Sequence, residues 1–156
     1  MLFTMEVTVL PDWVDYNGHM ADHAYGLVFS HAGNAYLEHH HLGAAYLKAE
    51  KTTFYTLENR IGYFKECHQG DKINVSVQLI GLDKKRVRFL LEMKNKDNEV
   101  LALSEQRLMH VSQVSGTPKA MSMSQAVFEC LEPEFERHKT LPKPRWLNRR
   151  MGLQSK

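Results

Sequence analysis

Cysteine is scarce: Cys67 and Cys130 are the only two in 156 residues. Two thiols make no disulfide framework, although a single bridge stays open. They fit a reducing compartment, so a cytoplasmic chain is expected. Long apolar runs are missing too. None approaches the roughly 20 residues needed to cross a bilayer, which excludes a helical membrane span. The stretch Met1–Glu6 has no basic region followed by an apolar core, so no secretory signal is expected. Charge of one sign is also lacking. A formal net charge of +2 offers no bulk attraction for nucleic acid, and no nucleic-acid partner is expected. Neither Gly-x-x-x-x-Gly-Lys-Ser/Thr nor Gly-x-Gly-x-x-Gly occurs, so no Rossmann or P-loop cofactor is expected.

Histidine, by contrast, is plentiful in the first third: His19, His23, His31, His39, His40 and His41. His19 and His23 have the four-residue spacing of helical metal ligands, but no His-Glu-x-x-His accompanies them. His39-His40-His41 points in three directions around a helix and cannot chelate as a unit. A polar helix end near the C-terminal dipole is the simpler reading, and no metal is expected.

A hydrophobic fraction of 43% over 156 residues suits one folded domain with a sizeable core. Phe3, Met5, Val7 and Val9 alternate with Thr4, Glu6 and Thr8, the pattern of a half-buried strand ended by Pro11. From about Ala21 to Leu42 the period becomes helical through Tyr25, Val28/Phe29, Ala32 and Ala35/Tyr36. Asp22 suits the N-cap or first turn, and Gly43 a C-terminal stop. Gly33 inside this helix costs about 1 kcal/mol relative to Ala, which suggests that another backbone packs closely there.

After Ala44–Lys51 the chain reads as strands to about Ser112. The segments are Thr52–Leu57, continued in Ile61–Phe64, then Ile73–Leu79, Val87–Met93 and Leu101–Val111. In the last, Leu101, Leu103, Met109 and Val111 share one parity. Glu105 and Arg107 interrupt it, which suggests a bulge or a functional polar position. Glu58 and Glu105 read as exposed strand residues, with a second active-site carboxylate the minority alternative. Gly116-Thr117-Pro118 breaks the sheet pattern. Ser124–His138 reads as a short amphipathic helix, and 141–146 as extended. The fold class is therefore α+β. About five antiparallel strands form a curved sheet around one long helix, in a single domain spanning 1–156 with 117–156 as a C-terminal extension. The second sheet face and its edges would be left for another copy to cover, so a homodimer or homotetramer is expected.

Between the first strand and the long helix lies Trp13-Val14-Asp15-Tyr16-Asn17-Gly18-His19-Met20. A carboxylate here can attack a carbonyl or activate water, and the residues do not choose between the routes. A helix N-terminus supplies unpaired N–H donors for a developing oxyanion. Taken alone, Asp15 would read more simply as a turn residue.

The Asp15–Met20 segment before a helix containing Tyr25 resembles the hotdog-fold thioesterases of the 4-hydroxybenzoyl-CoA thioesterase type. Ile61-Gly62-Tyr63-Phe64 followed by Gly70-Asp71 resembles a tyrosine-containing strand and Gly-Asp turn of the same family. The likeness covers roughly residues 3–112. Within the family, the Trp-Val-Asp-Tyr-Asn-Gly-His-Met wording is similar to the betainyl-CoA thioesterases of carnitine breakdown. The resemblance implies a hotdog fold and hydrolysis of a short acyl-CoA, with betainyl-CoA giving glycine betaine and CoA. It implies Asp15 as the catalytic carboxylate, and Gly18 and His19 in the segment whose N–H groups face the thioester carbonyl. His19 could act through its ring or only through its backbone.

Trp13, Tyr16, Asn17 and Tyr25 are the candidate substrate contacts, the aromatics as a cage for a quaternary ammonium group. Many relatives have asparagines where Ala21-Asp22 stands here. A role for those side chains is therefore in question, and the backbone role is not. CoA enters as substrate, not cofactor. Arg60, Lys65, Arg86, Arg88, Lys143, Arg145, Arg149 and Arg150 are candidates for its phosphates. An acyl carrier protein as the carrier, or a non-catalytic thioester binder, remain the alternatives.

Overall fold

The computed structural model describes residues 1–153. Six strands are β1 (Phe3–Thr8), β2 (Thr52–Tyr63), β3 (Lys72–Leu82), β4 (Arg86–Asn95), β5 (Val100–Ser112) and β6 (Lys119–Ala120). Three helices are α1 (Asp22–His39), α2 (Ala44–Glu50) and α3 (Gln125–His138). The strands are antiparallel in the order β1-β3-β4-β5-β2, with the two-residue β6 added to β5. The sheet curls around α1 in the hotdog arrangement. Ala24, Val28, Phe29, Ala32 and Tyr36 on α1 meet Val75, Val77, Leu79, Phe89, Leu91 and Met93 in one buried cluster.

Small residues let α1 sit close to the sheet. A Cβ on Gly33 would meet the side-chain oxygen of Gln106 at 3.4 Å. The close neighbour is thus a buried amide side chain and not a second backbone. It belongs to a polar pair inside the wrap: Gln106 donates to Ser104 Oγ at 3.3 Å, and Ser104 donates to Asn59 at 2.7 Å. These bonds explain a departure in β5. The even positions Ala102, Ser104, Gln106, Leu108 and His110 are buried. Glu105 and Arg107 are only partly buried and bind Arg60, Arg88 and Glu58. Polar residues can line the inward face because each finds a partner there. The extra residue lies in β2, between Thr56 and Glu58, where Leu57 has no partner in the register.

α1 does not stop at Gly43. His41 takes the left-handed conformation (φ 59), His41 N–H donates to Glu38 O and Leu42 N–H to Leu37 O. That is a Schellman end with the buried Leu42 against the buried Leu37. Ala44–Glu50, unassigned from the sequence, forms the short α2.

The open edge of β3 is covered by α3, and part of the outer sheet face by the segment that follows it. The Ser124 hydroxyl caps α3 by accepting from Val127 N–H. Beyond Val77, β3 has no β1 partner, and the end of α3 takes its place: Leu79 N–H donates to His138 Nδ1 at 3.0 Å and the Gln78 amide to His138 O at 3.0 Å. The following segment reaches β2 through a 3-10 turn, Arg145–Asn148. The Arg60 guanidinium lies 4.1 Å from the Trp146 ring and donates to the carbonyls of Trp146, Leu147 and Arg149. A Cβ on Gly62 would stand 2.5 Å from Trp146 Nε1, so this position has room only for glycine.

Candidate active site

The motif forms a tight loop between a 3-10 turn (Pro11–Trp13) and α1. Its two ends are zipped by a Val14–Met20 bridge and by Asp15 N–H donating to His19 O at 2.9 Å. Inside, Gly18 N–H donates to Asp15 O at 3.0 Å, closing a four-residue turn. Gly18 has φ +83, a conformation that a side chain disfavours. One oxygen of the Asp15 carboxylate accepts Asn17 N–H at 2.8 Å. The simple turn role of Asp15 is therefore filled by Oδ1, while Oδ2 has no hydrogen-bond partner among the described residues.

Two further bonds aim this loop. Ala21 N–H donates to Trp13 O at 2.8 Å, and Met20 N–H to Cys67 O at 2.9 Å. The second ties the loop to the segment following β2. Between them opens a cavity of about 580 Å³ lined by Asp15, His19, Met20, Asp22, Tyr25, Tyr63, Phe64, Lys65 and Glu66. Ala21 is the residue before the first turn of α1, with Asp22 at its first position. The N–H groups of His19 and Asp22 make no hydrogen bond among the described residues, and both residues line the cavity. The N–H of Gly18 is spent on its own turn, so its contribution is conformational.

Asp15, His19 and Tyr25 thus come together on one cavity wall. Trp13, Tyr16 and Asn17 do not join them. Trp13 packs against the core, and Tyr16 is 98% exposed on the turn beside the exposed Asn17. The three rings at the cavity are Tyr25, Tyr63 and Phe64. Tyr25 and Tyr63 meet edge to face at 5.2 Å. The Tyr25 hydroxyl donates to Lys65 O at 3.4 Å and lies 3.6 Å from Cys67 Sγ. Burial, reinforced by Cys67, pushes the Tyr25 phenol well above its ordinary value. The Tyr63 phenol is raised by burial and by Asp22. The buried Cys67 thiol is likewise pushed up by desolvation, so at neutral pH it stays a thiol and is a poor nucleophile. Tyr63, Phe64 and Glu66 were not singled out as site residues by the sequence. The only signal for Tyr63 and Phe64 was the strand-end likeness of Ile61–Phe64, and Glu66 had none.

The acidic side chains Asp15, Asp22 and Glu66 outnumber the one ammonium, Lys65, whose Nζ lies 2.6 Å from Glu99. His19 Nε2 stands 3.0 Å from Glu66 Oε2. His19, Glu66 and His68 bring their donor atoms within 4.8 Å of one another, the one group of three in the described residues able to share a metal ion. His23 is not part of it. Of the basic residues considered for CoA, Lys65 lines the cavity. Arg60 and Arg88 are held by Glu105, and Arg86 by Asp83.

A family model described as the thioesterase-like superfamily matches residues 9–142. The chain belongs to this family. It is 38% identical over 155 residues to a betainyl-CoA thioesterase of Pseudomonas aeruginosa, covering 98% of this chain and 96% of the relative. A Rhizobium meliloti protein named L-carnitine dehydrogenase/betainyl-CoA thioesterase is 32% identical over 90% of this chain, which spans 28% of that protein. Among solved structures, a candidate thioesterase from Pseudomonas putida KT2440 superposes with a TM-score of 0.84 at 29% identity, covering 99% of both chains. A Staphylococcus aureus protein solved with CoA has the same fold, with a TM-score of 0.91 at 24% identity over 99% of this chain and 96% of that one. The chain is a thioester hydrolase with the hotdog fold.

Proposed function

We propose that the chain hydrolyses a short acyl-CoA whose acyl group carries a quaternary ammonium, namely betainyl-CoA. The observation that carries this reading is the cavity lining: three aromatic rings and three carboxylates around one already paired lysine. Such a wall favours a cationic acyl group, since ring faces attract it by about 0.5–2 kcal/mol each and carboxylates add long-range attraction. The likeness to the P. aeruginosa enzyme over nearly the whole of both chains supports the same substrate.

In this reading the thioester carbonyl lies against the start of α1, where the free N–H groups of His19 and Asp22 and the positive dipole end receive the oxyanion. Asp15 Oδ2 either attacks the carbonyl carbon or takes a proton from the attacking water. In both routes the C–S bond breaks and the CoA thiolate leaves and takes up a proton. Direct attack gives an aspartyl anhydride that water opens. The products are glycine betaine and CoA. Tyr25, Tyr63 and Phe64 face the acyl group. Trp13, Tyr16 and Asn17 act at most by shaping the loop. The enzyme works in the cytoplasm as a homodimer or homotetramer. Leu57 on the free edge strand β2 and Leu27 on α1 leave exposed apolar surface for a second copy to bury.

The deciding experiment compares thiol release from betainyl-CoA and from 3,3-dimethylbutanoyl-CoA, in which carbon replaces the ammonium nitrogen. The proposal expects a clear preference for the charged substrate, mostly in KM. Equal kcat/KM for the two would refute cation selection. No release from a panel of acyl-CoAs would refute the acyl-CoA reading.

A further inference from the structure

We propose that His19, Glu66 and His68 form a binding site for a divalent transition-metal ion of the zinc class at the rim of the cavity, and that occupancy inhibits hydrolysis. The inhibitory part rests on the function proposed above; the binding part does not. Two imidazoles and one carboxylate are a donor set that zinc-class ions take, leaving a further position open to water.

The geometry is set by the backbone. Glu66 and His68 are two apart in a chain segment whose central Cys67 carbonyl accepts Met20 N–H at 2.9 Å. His19, next to Met20, is brought opposite them. His19 Nε2 is 3.0 Å from Glu66 Oε2, the His19 and His68 rings meet at 5.1 Å nearly at right angles, and all three donor atoms fall within 4.8 Å. Each loop is braced independently of the ligands: Asp15 N–H holds His19 O, and His68 N–H donates to Asp71 Oδ2 at 2.8 Å. The same Asp71 oxygen lies 3.8 Å from His68 Nδ1, close enough to add negative charge beside the site without a hydrogen bond to the ring. Side-chain movements of about an ångström would bring three donors to the 2.0–2.2 Å of zinc coordination.

His19 and Glu66 also line the cavity, whereas His68 does not. An ion held by all three would place positive charge on the wall that we propose receives a cationic acyl group. It would also withdraw the His19–Glu66 edge from the substrate. The expected result is inhibition by Zn²⁺, relieved by chelator and competitive with a cationic substrate.

The test uses the full chain with Cys130→Ser, because the exposed Cys130 thiol lies 3.8 Å from His40 Nδ1 and could bind a soft ion itself. Co²⁺ binding is read from equilibrium dialysis and the visible spectrum, and Zn²⁺ inhibition from thiol release. One Co²⁺ per chain is expected, weakened at least about tenfold in His68→Ala and in His68→Gln. Hydrolysis by either variant in chelator should match the parent, with the Zn²⁺ response shifted to the same extent as Co²⁺ binding. Absence of stoichiometric Co²⁺ binding, or binding equal in parent and both variants, would overturn the site. Binding without inhibition in a chain that hydrolyses thioester would overturn the inhibitory role. If the chelated parent hydrolyses no acyl-CoA, the proposed function fails, and the dialysis result still decides the site.

Discussion

At the N-terminal end of α1, Asp15, Glu66, His19, Tyr25 and Tyr63 stand around an open cavity. At the C-terminal end, Glu134, Tyr36, His40 and His138 have closed on one another. The Tyr36 hydroxyl donates to Glu134 Oε2 at 2.6 Å, His40 Nε2 lies 2.6 Å from the same oxygen, and His138 Nε2 lies 3.4 Å from Oε1. Tyr36, Glu134 and His138 are buried. Both ends use the same residue types. They differ in what is left unspent. At the C-terminal end the carboxylate is consumed in fastening α3 to α1. At the other, Asp15 Oδ2 and the N–H groups of His19 and Asp22 have no protein partner among the described residues. Catalysis needs such free valences facing an accessible space; burial and pairing alone give a fastener.

The largest expected effect follows from Asp15. Asp15→Asn keeps an oxygen for Asn17 N–H but loses the charge, so hydrolysis should fall by about 10²–10⁴-fold with the thermal midpoint unchanged. Near-parental turnover would place the chemistry elsewhere. Glu134→Ala should do the reverse. Removing the acceptor of the buried Tyr36 hydroxyl costs about 1–3 kcal/mol, read by urea unfolding, while kcat of the folded fraction stays at the parental value. A stable Glu134→Ala chain with lost activity would erase the distinction between the two ends.

Acidification separates the ends further. Burial holds the His40 and His138 imidazoles below their ordinary value, against the opposing attraction of Glu134. His138 Nδ1 also accepts Leu79 N–H, a bond that only the unprotonated nitrogen can make. The unfolded chain takes up these protons near pH 6.5, before the folded chain does. Between the folded values and about pH 6.5 the unfolded state binds more protons, so stability rises with pH there. It is complete above that window and is lost as pH falls through it. Denaturant midpoints measured from about pH 7.5 to about pH 5.5 should therefore decline, and less so in His40→Gln and His138→Asn.

Much of this was legible beforehand because period and punctuation are local. The alternation of β1, β3 and β4, the helical period from Ala21, and the loop with Asp15 and Gly18 all rest on nearest-neighbour geometry. The inward face of β5 was not. Its odd positions Leu101, Leu103 and Val111 are buried as their shared parity suggests, yet Ser104 and His110 on the other parity are buried too, because Asn59, Tyr46 and the Met121 carbonyl satisfy them. Those partners are distant in sequence. The end of α1 was misplaced for a related reason: His41 occupies the left-handed position that composition assigns to Gly43. Asp15, His19 and Tyr25 were found from the motif, but the cavity's other wall comes from the end of β2 and the segment after it. No spacing rule connects Glu66 or Phe64 to residue 19. Trp13 and Tyr16 shared the motif's neighbourhood in sequence without sharing its cavity.

The smallest effect expected is the one that links the two sheet faces. Phe64 lines the cavity and meets Trp146 edge to face at 6.4 Å. Trp146 in turn is fixed by the Arg60 guanidinium and by the missing Cβ of Gly62. The C-terminal segment therefore holds one cavity ring in place without touching the cavity itself. Trp146→Ala should loosen Phe64 and raise KM for the cationic substrate by about 2–10-fold, the worth of one aromatic contact, with kcat nearly unchanged. Trp146→Phe should recover most of the loss, because an aromatic edge is retained. Gly62→Ala should reproduce the KM effect, because its Cβ would displace the indole and also press on Phe64 Cζ, 3.1 Å away. If Trp146→Ala instead lowers kcat at constant KM, Phe64 acts on the transition state and not on the acyl group's ground-state binding. The quaternary-ammonium pocket must then be drawn around Tyr25 and Tyr63 alone.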